Sequence, residues 1–446
     1  MAIPDYAKLA DALTAEIAAG RLKPGDRLPP QRAFAYERHI AVSTASRVYG
    51  ELLRRGLVVG EVGRGTFVAG RRETVPAMAE PNDGRIDLEF NFPILPEQPA
   101  LIAKSLAGLT RPEALAIALR FAPSWGRRED RELSARFLAR GGWRPSPDGL
   151  LFAGNGRQAI AAAIGAVVPI GARLGVEAIT YPLVKGIAAR LGVTLVPLPL
   201  DEAGIRPDGI ARAHRQASLS ALYIQPVLHN PLGVSLTPGR REELARLAGK
   251  LDLMIIDDAV YGFLSDEPPL AALAPECCIV VDSLSKRIAP GLGLGFISAP
   301  VALRERLMMS LRSGGWTVSG YAFEAGLRLM ADGTAGVIAT RKREEAKERQ
   351  HTAATFLAGF TVQADARAYH LWLTLPDHWR SEAFVAAAAR RSVGLTPSSA
   401  FAVGHGYAPN AVRLALASPS LEQLREALRR LANLLGSRPE DFDVTE

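Results

Sequence analysis

The stretch VDSLSKRIAPGLGLGF, residues 281–296, sets one lysine, Lys286, after two small hydroxylic residues and before a glycine-rich turn. This is a layout for holding an aldehyde phosphate. The ε-amine can form a Schiff base, Ser283 and Ser285 can donate to phosphate oxygens, and the glycines let the backbone come close. A lysine in a polar loop is more often a solvated surface charge, so the reading rests on the surrounding sequence. Upstream, LGVTLVPLPL, SALYIQPVL, LDLMIIDDAV and CCIVVDSL are short apolar runs separated by alanine-rich helical segments. That alternation predicts a mostly parallel sheet covered on both faces, with ligands at the carboxyl ends of its strands.

Several polar residues fall at those ends. The run LDLMIID finishes in Asp257-Asp258, and Tyr261 follows three residues after the second aspartate. LYIQP runs into VLHNPLG, which carries Asn230. LLFAGNGRQAI puts Asn155, Gly156 and Arg157 at a helix start, where free backbone N–H groups and the helix dipole favour a phosphate. Each piece alone reads as an ordinary cap or turn. Their ordered recurrence is what points to a site.

Composition bounds the rest. The chain has 446 residues, 48% hydrophobic and 22% charged, which is ordinary for a globular protein of two or three domains. The longest apolar run, Ala159 to Gly171, is interrupted by Gly165 and Pro169 and falls short of the roughly 18 residues of a membrane span. The first residues, MAIPDYAKLA, carry no export signal, and Cys277 and Cys278 are adjacent, giving neither a disulfide framework nor a zinc-ligand spacing. The expectation is a cytoplasmic protein without a membrane partner. The net charge of +7 is unevenly spread: Met1 to Arg72 hold twelve Lys/Arg against seven Asp/Glu. Base gathered at the front is the footprint of a nucleic-acid-binding module, although a solvated basic face looks the same.

That front segment reads as helical, then as a hairpin. Leu9, Leu13 and Ile17 recur at helical spacing before Gly20, a second helix starts near Pro30 and turns Ala33 and Phe34 inward, and AVSTASRVYGELLRRG forms a third. Ser43 is the expected N-cap of the third helix, with Val48, Leu52 and Leu53 on its apolar face. Its exposed face then presents Ser43, Thr44, Ser46 and Arg47, short side chains suited to a major groove. Beyond Gly56, LVVGEVGRGTFV reads as two short strands around a tip at Arg64.

GDRLPPQRAFA, STASRVYGELLRRGLV and GRGTFV resemble the winged helix-turn-helix domain of GntR-type bacterial regulators over residues 5–69. The resemblance implies that Arg32, Ser43, Thr44, Ser46, Arg47, Arg64 and Gly65 meet double-stranded operator DNA. It departs at Val42, often an arginine in such domains. Residues 71–88 lose periodicity and read as a linker between this head, residues 1–70, and a body, residues 89–446.

The set GNGRQ, TYP, HNPLG, DDAVYGF and SLSK resembles fold-type I aminotransferases, which use pyridoxal 5′-phosphate, and the likeness extends to AYHLWLTLP and NAVRLALASP near the end. The expected fold class is therefore α/β, a winged helix-turn-helix joined to a fold-type I aminotransferase-like domain. By resemblance, Lys286 forms the cofactor aldimine and Asp258 pairs with the pyridinium nitrogen, with Asp257 as the alternative. Asn230 and Tyr261 bond the ring hydroxyl, Tyr181 stacks on the ring, and Asn155, Gly156, Arg157, Ser283 and Ser285 belong to the cofactor site. Arg413 binds a substrate or effector carboxylate. A carboxylate at the ring nitrogen keeps it protonated, and an arginine fork suits a carboxylate.

Two positions depart from that pattern. Relatives commonly carry an arginine for the cofactor phosphate where this chain has Gly293, leaving Arg287 or Arg157 as replacements. Phe121 stands where relatives often have a tyrosine reaching the neighbouring subunit's cofactor. The joined layout is that of the MocR subfamily, which implies a homodimeric regulator sensing an amine, amino acid or B6 vitamer. Two other readings stay open: a working aminotransferase with a DNA-binding module, and a regulator that has lost the cofactor and senses a ligand directly. Trp125, Trp316 and Trp372 read as core or interface aromatics, His370 as structural, and RKREEAKERQ, residues 341–350, as a solvated helix face.

Overall fold

The apolar spacing of the first segment resolves into α1 (Tyr6–Ala18), α2 (Gln31–Glu37) and α3 (Val42–Arg54), followed by the antiparallel strands β1 (Val58–Glu61) and β2 (Gly65–Val68). The computed structural model describes residues 6–23, 25–55, 57–61, 65–68, 84–404 and 408–438. The head closes around Ala10, Leu13, Phe34, Ala45, Val48, Tyr49 and Leu52, all buried. Phe34 and Tyr49 meet edge to face with centroids 5.4 Å apart, and the Tyr49 hydroxyl donates to Pro29 O at 2.5 Å. Burying a side chain such as Leu52 contributes about 1.5–3 kcal/mol.

One expectation for this head is corrected. Ala41, extended at φ −66° and ψ 146°, is the N-cap of α3, and its carbonyl accepts from Thr44 N (2.9 Å) and Ala45 N (3.1 Å). Ser43 is therefore inside the first turn. The chain becomes helical at Val42 because the turn ending at Ile40 has already aimed the Ala41 carbonyl along the helix axis, so no side-chain cap is used.

The body is built on a seven-stranded sheet. Its strands are β3 (Leu150–Ala153), β4 (Arg173–Glu177), β5 (Thr194–Leu198), β6 (Ala221–Ile224), β7 (Met254–Asp258), β8 (Cys278–Ser283) and β9 (Gly295–Ser298), in spatial order β3-β9-β8-β7-β6-β4-β5. Only β9 runs against the others. The apolar run starting near Ala159 lies in α4 (Gly156–Val167), whose Ala159, Ile160, Ala163 and Ile164 pack on the sheet. Buried nearly all round, that helix is a core element, and among the described residues no helix is long and apolar enough to cross a membrane. Further helices that matter for the site are α5 (Pro182–Arg190), the short α6 (Leu284–Arg287) and α7 (Thr334–Phe356).

A second, antiparallel sheet comprises β10 (Val362–Ala364), β11 (His370–Thr374), β12 (Thr396–Pro397) and β13 (Ala411–Ala415), in spatial order β10-β11-β13-β12. Ile86–Asp87 pair with Val393–Gly394, and Leu88 is fully buried in this second unit's core. The end of the stretch read as linker is thus sheet and core, because an apolar Ile-Asp-Leu alternation can complete a sheet edge. The wing touches the body: Gly60 O accepts from Ala408 N at 3.0 Å, and the Arg380 guanidinium lies 4.9 Å from the Phe67 ring.

The reading of residues 341–350 as a solvated face is also corrected. On α7, Lys342, Arg349 and Gln350 are buried where the helix passes between the two sheets. Each donates to backbone carbonyls of neighbouring segments. Lys342 Nζ donates to Lys286 O (3.2 Å) and Ile288 O (2.5 Å), and Arg349 donates to Leu416 O (2.6 Å) and Pro419 O (2.7 Å). Gln350 Nε2 donates to Ala368 O (2.8 Å) and His370 O (2.9 Å). A buried polar side chain is tolerated when its hydrogen-bonding groups are satisfied in this way.

Candidate functional site

The carboxyl ends of β3, β6, β7 and β8 open onto one cleft with a volume of about 170 Å³. Asn155, Gly156, Arg157, Tyr181, Asn230, Asp258, Tyr261, Ser283, Ser285 and Lys286 all line it. The parallel register explains the convergence: Asp258 lies opposite Val281, so the residues just after β7 and β8 emerge side by side. Successive residues of a strand face opposite sides, which separates the two adjacent aspartates. Asp258 faces the cleft. Asp257 accepts from Leu270 N at 2.8 Å away from it, with its carboxyl pushed up to about 6 by burial.

Asp258 is fixed from below. Its Oδ2 accepts from the Tyr223 hydroxyl (2.5 Å) and Gln225 Nε2 (2.9 Å), while Val260 N donates to Oδ1 (3.3 Å). Burial raises its pKa and those hydrogen bonds oppose the rise. Gln225 also accepts from Asn230 N at 3.0 Å, tying the Asn230 turn to the same carboxylate. Tyr261 accepts from Asn91 Nδ2 at 3.0 Å, and burial pushes its phenol up to about 12.

Lys286 is the centre of the cleft. Its Nζ donates to Asn91 O (2.6 Å) and lies 3.7 Å from the centroid of the Phe92 ring. Burial, then the nearby charges of Arg157 and Arg413, hold its pKa well below that of an ordinary lysine. Ser283 caps α6, its Oγ accepting from Ser285 N (3.0 Å) and donating to Ser285 Oγ (2.9 Å). Asn155 caps α4 by accepting from Gln158 N at 3.0 Å, leaving Gly156 and Arg157 as the first helical residues. A Cβ on Gly156 would come within 3.1 Å of Ser283 Cβ, so the two turns touch and the α4 backbone forms the floor.

Arg413 stands behind the lining rather than in it. Its guanidinium donates to Asn230 Oδ1 (3.4 Å), Thr396 Oγ1 (3.1 Å) and Glu89 O, and its buried Nε has no partner among the described residues. The two candidates for a replacement phosphate cation separate. Arg287 is buried against Asp282 Oδ2 (3.0 Å) with its guanidinium 4.5 Å from the Phe137 ring, outside the cleft lining. Arg157 lines the cleft.

Asn91, Phe92, Tyr223 and Gln225 were absent from the sequence reading. Tyr223 and Gln225 had a signal, being polar groups two apart at the end of an otherwise apolar strand. Asn91 and Phe92 had none, since nothing local ties NFP to a lysine 195 positions away. His370 is buried, its Nε2 donating to His229 O at 3.0 Å, with burial driving its pKa down to about 3. It is a neutral structural group beside Tyr261, 5.4 Å between ring centroids. Trp372 packs on Phe401 in the core, and Trp125 lies between the guanidiniums of Arg131 (4.2 Å) and Arg304 (4.5 Å). Trp316 packs, partly buried, on the large-sheet core. Phe121 is 74% exposed.

On the head, Arg32, Ser43, Ser46 and Arg47 are exposed and Thr44 half-buried, all on α2 and the start of α3. Gly65 opens β2 at φ +121°, a conformation that favours glycine. Arg64 lies outside the described residues.

The comparisons with known proteins match the chain in two stretches. A model described as "Bacterial regulatory proteins, gntR family" matches residues 5–68, and one described as "Aminotransferase class I and II" matches residues 117–431. The HTH-type transcriptional regulator YdeF of Bacillus subtilis is 30% identical over 437 residues, covering 97% of this chain and 94% of the relative. PtsJ of Salmonella typhimurium, named as a vitamin B6 salvage pathway transcriptional repressor, is 24% identical over 84% of this chain and 87% of its own. The kynurenine aminotransferase of Pyrococcus horikoshii superposes with a TM-score of 0.72 at 22% identity, over 82% of this chain and 93% of that one, a likeness of fold. The chain is a transcriptional regulator of the MocR type, a GntR-family helix-turn-helix head joined to a class I and II aminotransferase-like body.

Proposed function

We propose that this regulator binds pyridoxal 5′-phosphate in the cleft, with Lys286 as the amine that receives its aldehyde, and that an amine, amino acid or B6 vitamer is the signal. The carrying observation is the convergence of nine polar or small residues, named from sequence alone, around one half-buried amine of depressed pKa. The residues present fit the group. A carboxylate is held at the cleft floor by Tyr223 and Gln225, two hydroxyls and a side-chain-free helix start lie beside the lysine, and an aromatic residue begins α5. When bound, the cofactor supplies a reactive aldehyde on an electron-withdrawing ring.

The chain's own residues have defined tasks in this reading. Asp258 holds a ring nitrogen in its protonated form, Asn230 and Tyr261 bond the ring hydroxyl, and Tyr181 covers one ring face. Ser283, Ser285 and the first N–H groups of α4 bind the phosphate. Burial and two nearby arginines disfavour the Lys286 ammonium, which favours the free amine that an aldehyde needs. Arg413, behind the lining and bonded to Asn230, would meet a carboxylate-bearing effector with the Nε–H that has no partner among the described residues. The name of PtsJ ties that relative to vitamin B6 salvage, which supports a B6 vitamer among the signals.

For the head, Arg32, Ser43, Thr44, Ser46, Arg47, Arg64 and Gly65 form the operator-reading surface. Exposed apolar Ile117, Leu119 and Phe121 support a second copy of the chain as partner, which pairs two heads on two half-sites. A ligand that binds one arrangement of the body better than another then shifts the heads.

The test is a titration of purified protein with pyridoxal 5′-phosphate, followed by visible absorption. Wild type is expected to gain a visible band that Lys286→Ala lacks, and candidate amines are expected to change both the band and operator affinity. A wild type that gains no band refutes the cofactor reading. Retention of Asp258, Asn230, Tyr261 and Arg413 around the amine favours residual amino transfer as a second reading. Many turnovers with an amino donor would establish that reading, whereas a single stoichiometric conversion marks a sensor.

A further inference from the structure

A phosphate ester bound in this cleft needs a cation, and the position that commonly supplies it in the resembling enzymes cannot do so here. A Cβ built on Gly293 would stand 2.6 Å from Gly154 O, and one on Gly295 would stand 2.5 Å from Asn155 O. Both obstacles are backbone, so they do not swing aside as a flexible side chain would. The β9 end of the segment is pressed directly onto residues 154–155, the two that precede α4. The same close approach that excludes a side chain at 293 delivers the next helical residues into the cleft.

The second of those is Arg157. Of the residues lining the cleft, only Arg157 and Lys286 are cationic. Lys286 is committed to the aldehyde in the reading above, which leaves Arg157. Among the described residues no carboxylate lies within ion-pair distance of it, and the side-chain neighbour it engages is the Tyr181 phenol. Arg287, the other basic residue near the segment, is bonded to Asp282 and packed on Phe137 outside the lining. Arg157 follows Gly156, whose backbone touches the Ser283 turn, and it lines the same cleft as the hydroxyl pair of Ser283 and Ser285.

We propose that Arg157 is the phosphate-binding cation of this cleft, supplied from the start of α4 in place of a side chain at 293, and that it selects phosphorylated over unphosphorylated pyridoxal ligands. The inference rests on the cofactor reading given under the proposed function. An arginine fork donates two parallel hydrogen bonds to phosphate oxygens, and its removal leaves the two hydroxyls and the helix start as donors without compensating charge.

The experiment titrates wild type, Arg157→Ala and Arg157→Lys with pyridoxal 5′-phosphate and, separately, with pyridoxal. Binding is read by visible absorption and tryptophan fluorescence, and thermal melts check that each variant is folded. Wild type is expected to prefer the phosphorylated ligand. Arg157→Ala is expected to lose about 10- to 100-fold in affinity for it while pyridoxal affinity stays within about twofold. Arg157→Lys, a point charge without the fork, should retain part of the preference. Inorganic phosphate should compete with pyridoxal 5′-phosphate on wild type more than on Arg157→Ala. An unchanged ratio of the two affinities in Arg157→Ala, or an equal loss of both ligands, overturns the assignment while leaving the cofactor reading intact. Wild type that binds neither ligand overturns both.

Discussion

Replacing Lys342 by methionine probes the buried floor beneath Lys286. The lysine is fully buried on α7, its Nζ bonded to the carbonyls of Lys286 and Ile288, and burial pushes its pKa from 10.5 down to about 7. Between those values the unfolded chain binds more protons than the folded one, so stability rises with pH across that window. Relative to the alkaline limit, the unfavourable burial of this ammonium amounts to about 4 kcal/mol at pH 7 and about 1.5 kcal/mol at pH 9.5. Methionine fills similar space without the charge, and leaves two carbonyls short of a donor at about 1–3 kcal/mol each. Ile288 O keeps the Gln98 Nε2 bond at 3.0 Å, which limits that loss. Lys342→Met should therefore match wild type to within about 2 kcal/mol at pH 7, and fall behind it by a further 3 kcal/mol or so at pH 9.5. Urea unfolding followed by tryptophan fluorescence at both pH values measures the gap. A gap that is the same at both would mean that the ammonium is hydrated and its pKa ordinary, refuting the burial argument.

Other perturbations report on other parts of the chain. Asp257, raised to about 6, binds a proton more readily folded than unfolded, so its contribution is full below about pH 4 and is lost as pH rises through 6. Asp257→Asn, which keeps an acceptor for Leu270 N, should gain about 1.5 kcal/mol on wild type between pH 5 and pH 8, seen in urea midpoints; no change in the difference would contradict the shift. On the head, Arg32→Ala and Arg47→Ala should each weaken operator binding about tenfold or more at fixed salt, with cofactor spectra untouched. Unaltered DNA affinity in both variants would remove α2 and the start of α3 from the reading surface.

Much of the architecture was legible because it is encoded locally. Helical spacing of Leu9, Leu13 and Ile17, the glycine-punctuated wing, and apolar runs each ending in a polar residue are patterns within a few turns of chain. The parallel alternation implied strand ends as the site, and the residues named there do line one cleft. The misreadings came where packing overrides local pattern. The Lys342 region has the composition of a solvated helix, yet the face it turns inward is set by carbonyls from α6 and the second sheet. Ser43 has the right chemistry for a cap, but the preceding turn had already placed Ala41 there.

The sequence by itself determined that a basic reading head precedes an α/β body, and which residue types stand at its strand ends, because periodicity and turn chemistry act over short stretches. Tertiary structure alone decided that Asp258 rather than Asp257 meets the cleft, that Asn91 receives Lys286, and that the backbone at Gly154 closes the space beside Gly293. Those outcomes depend on segments far apart in the chain meeting at one sheet edge, where the packed position of one backbone sets what the other can carry.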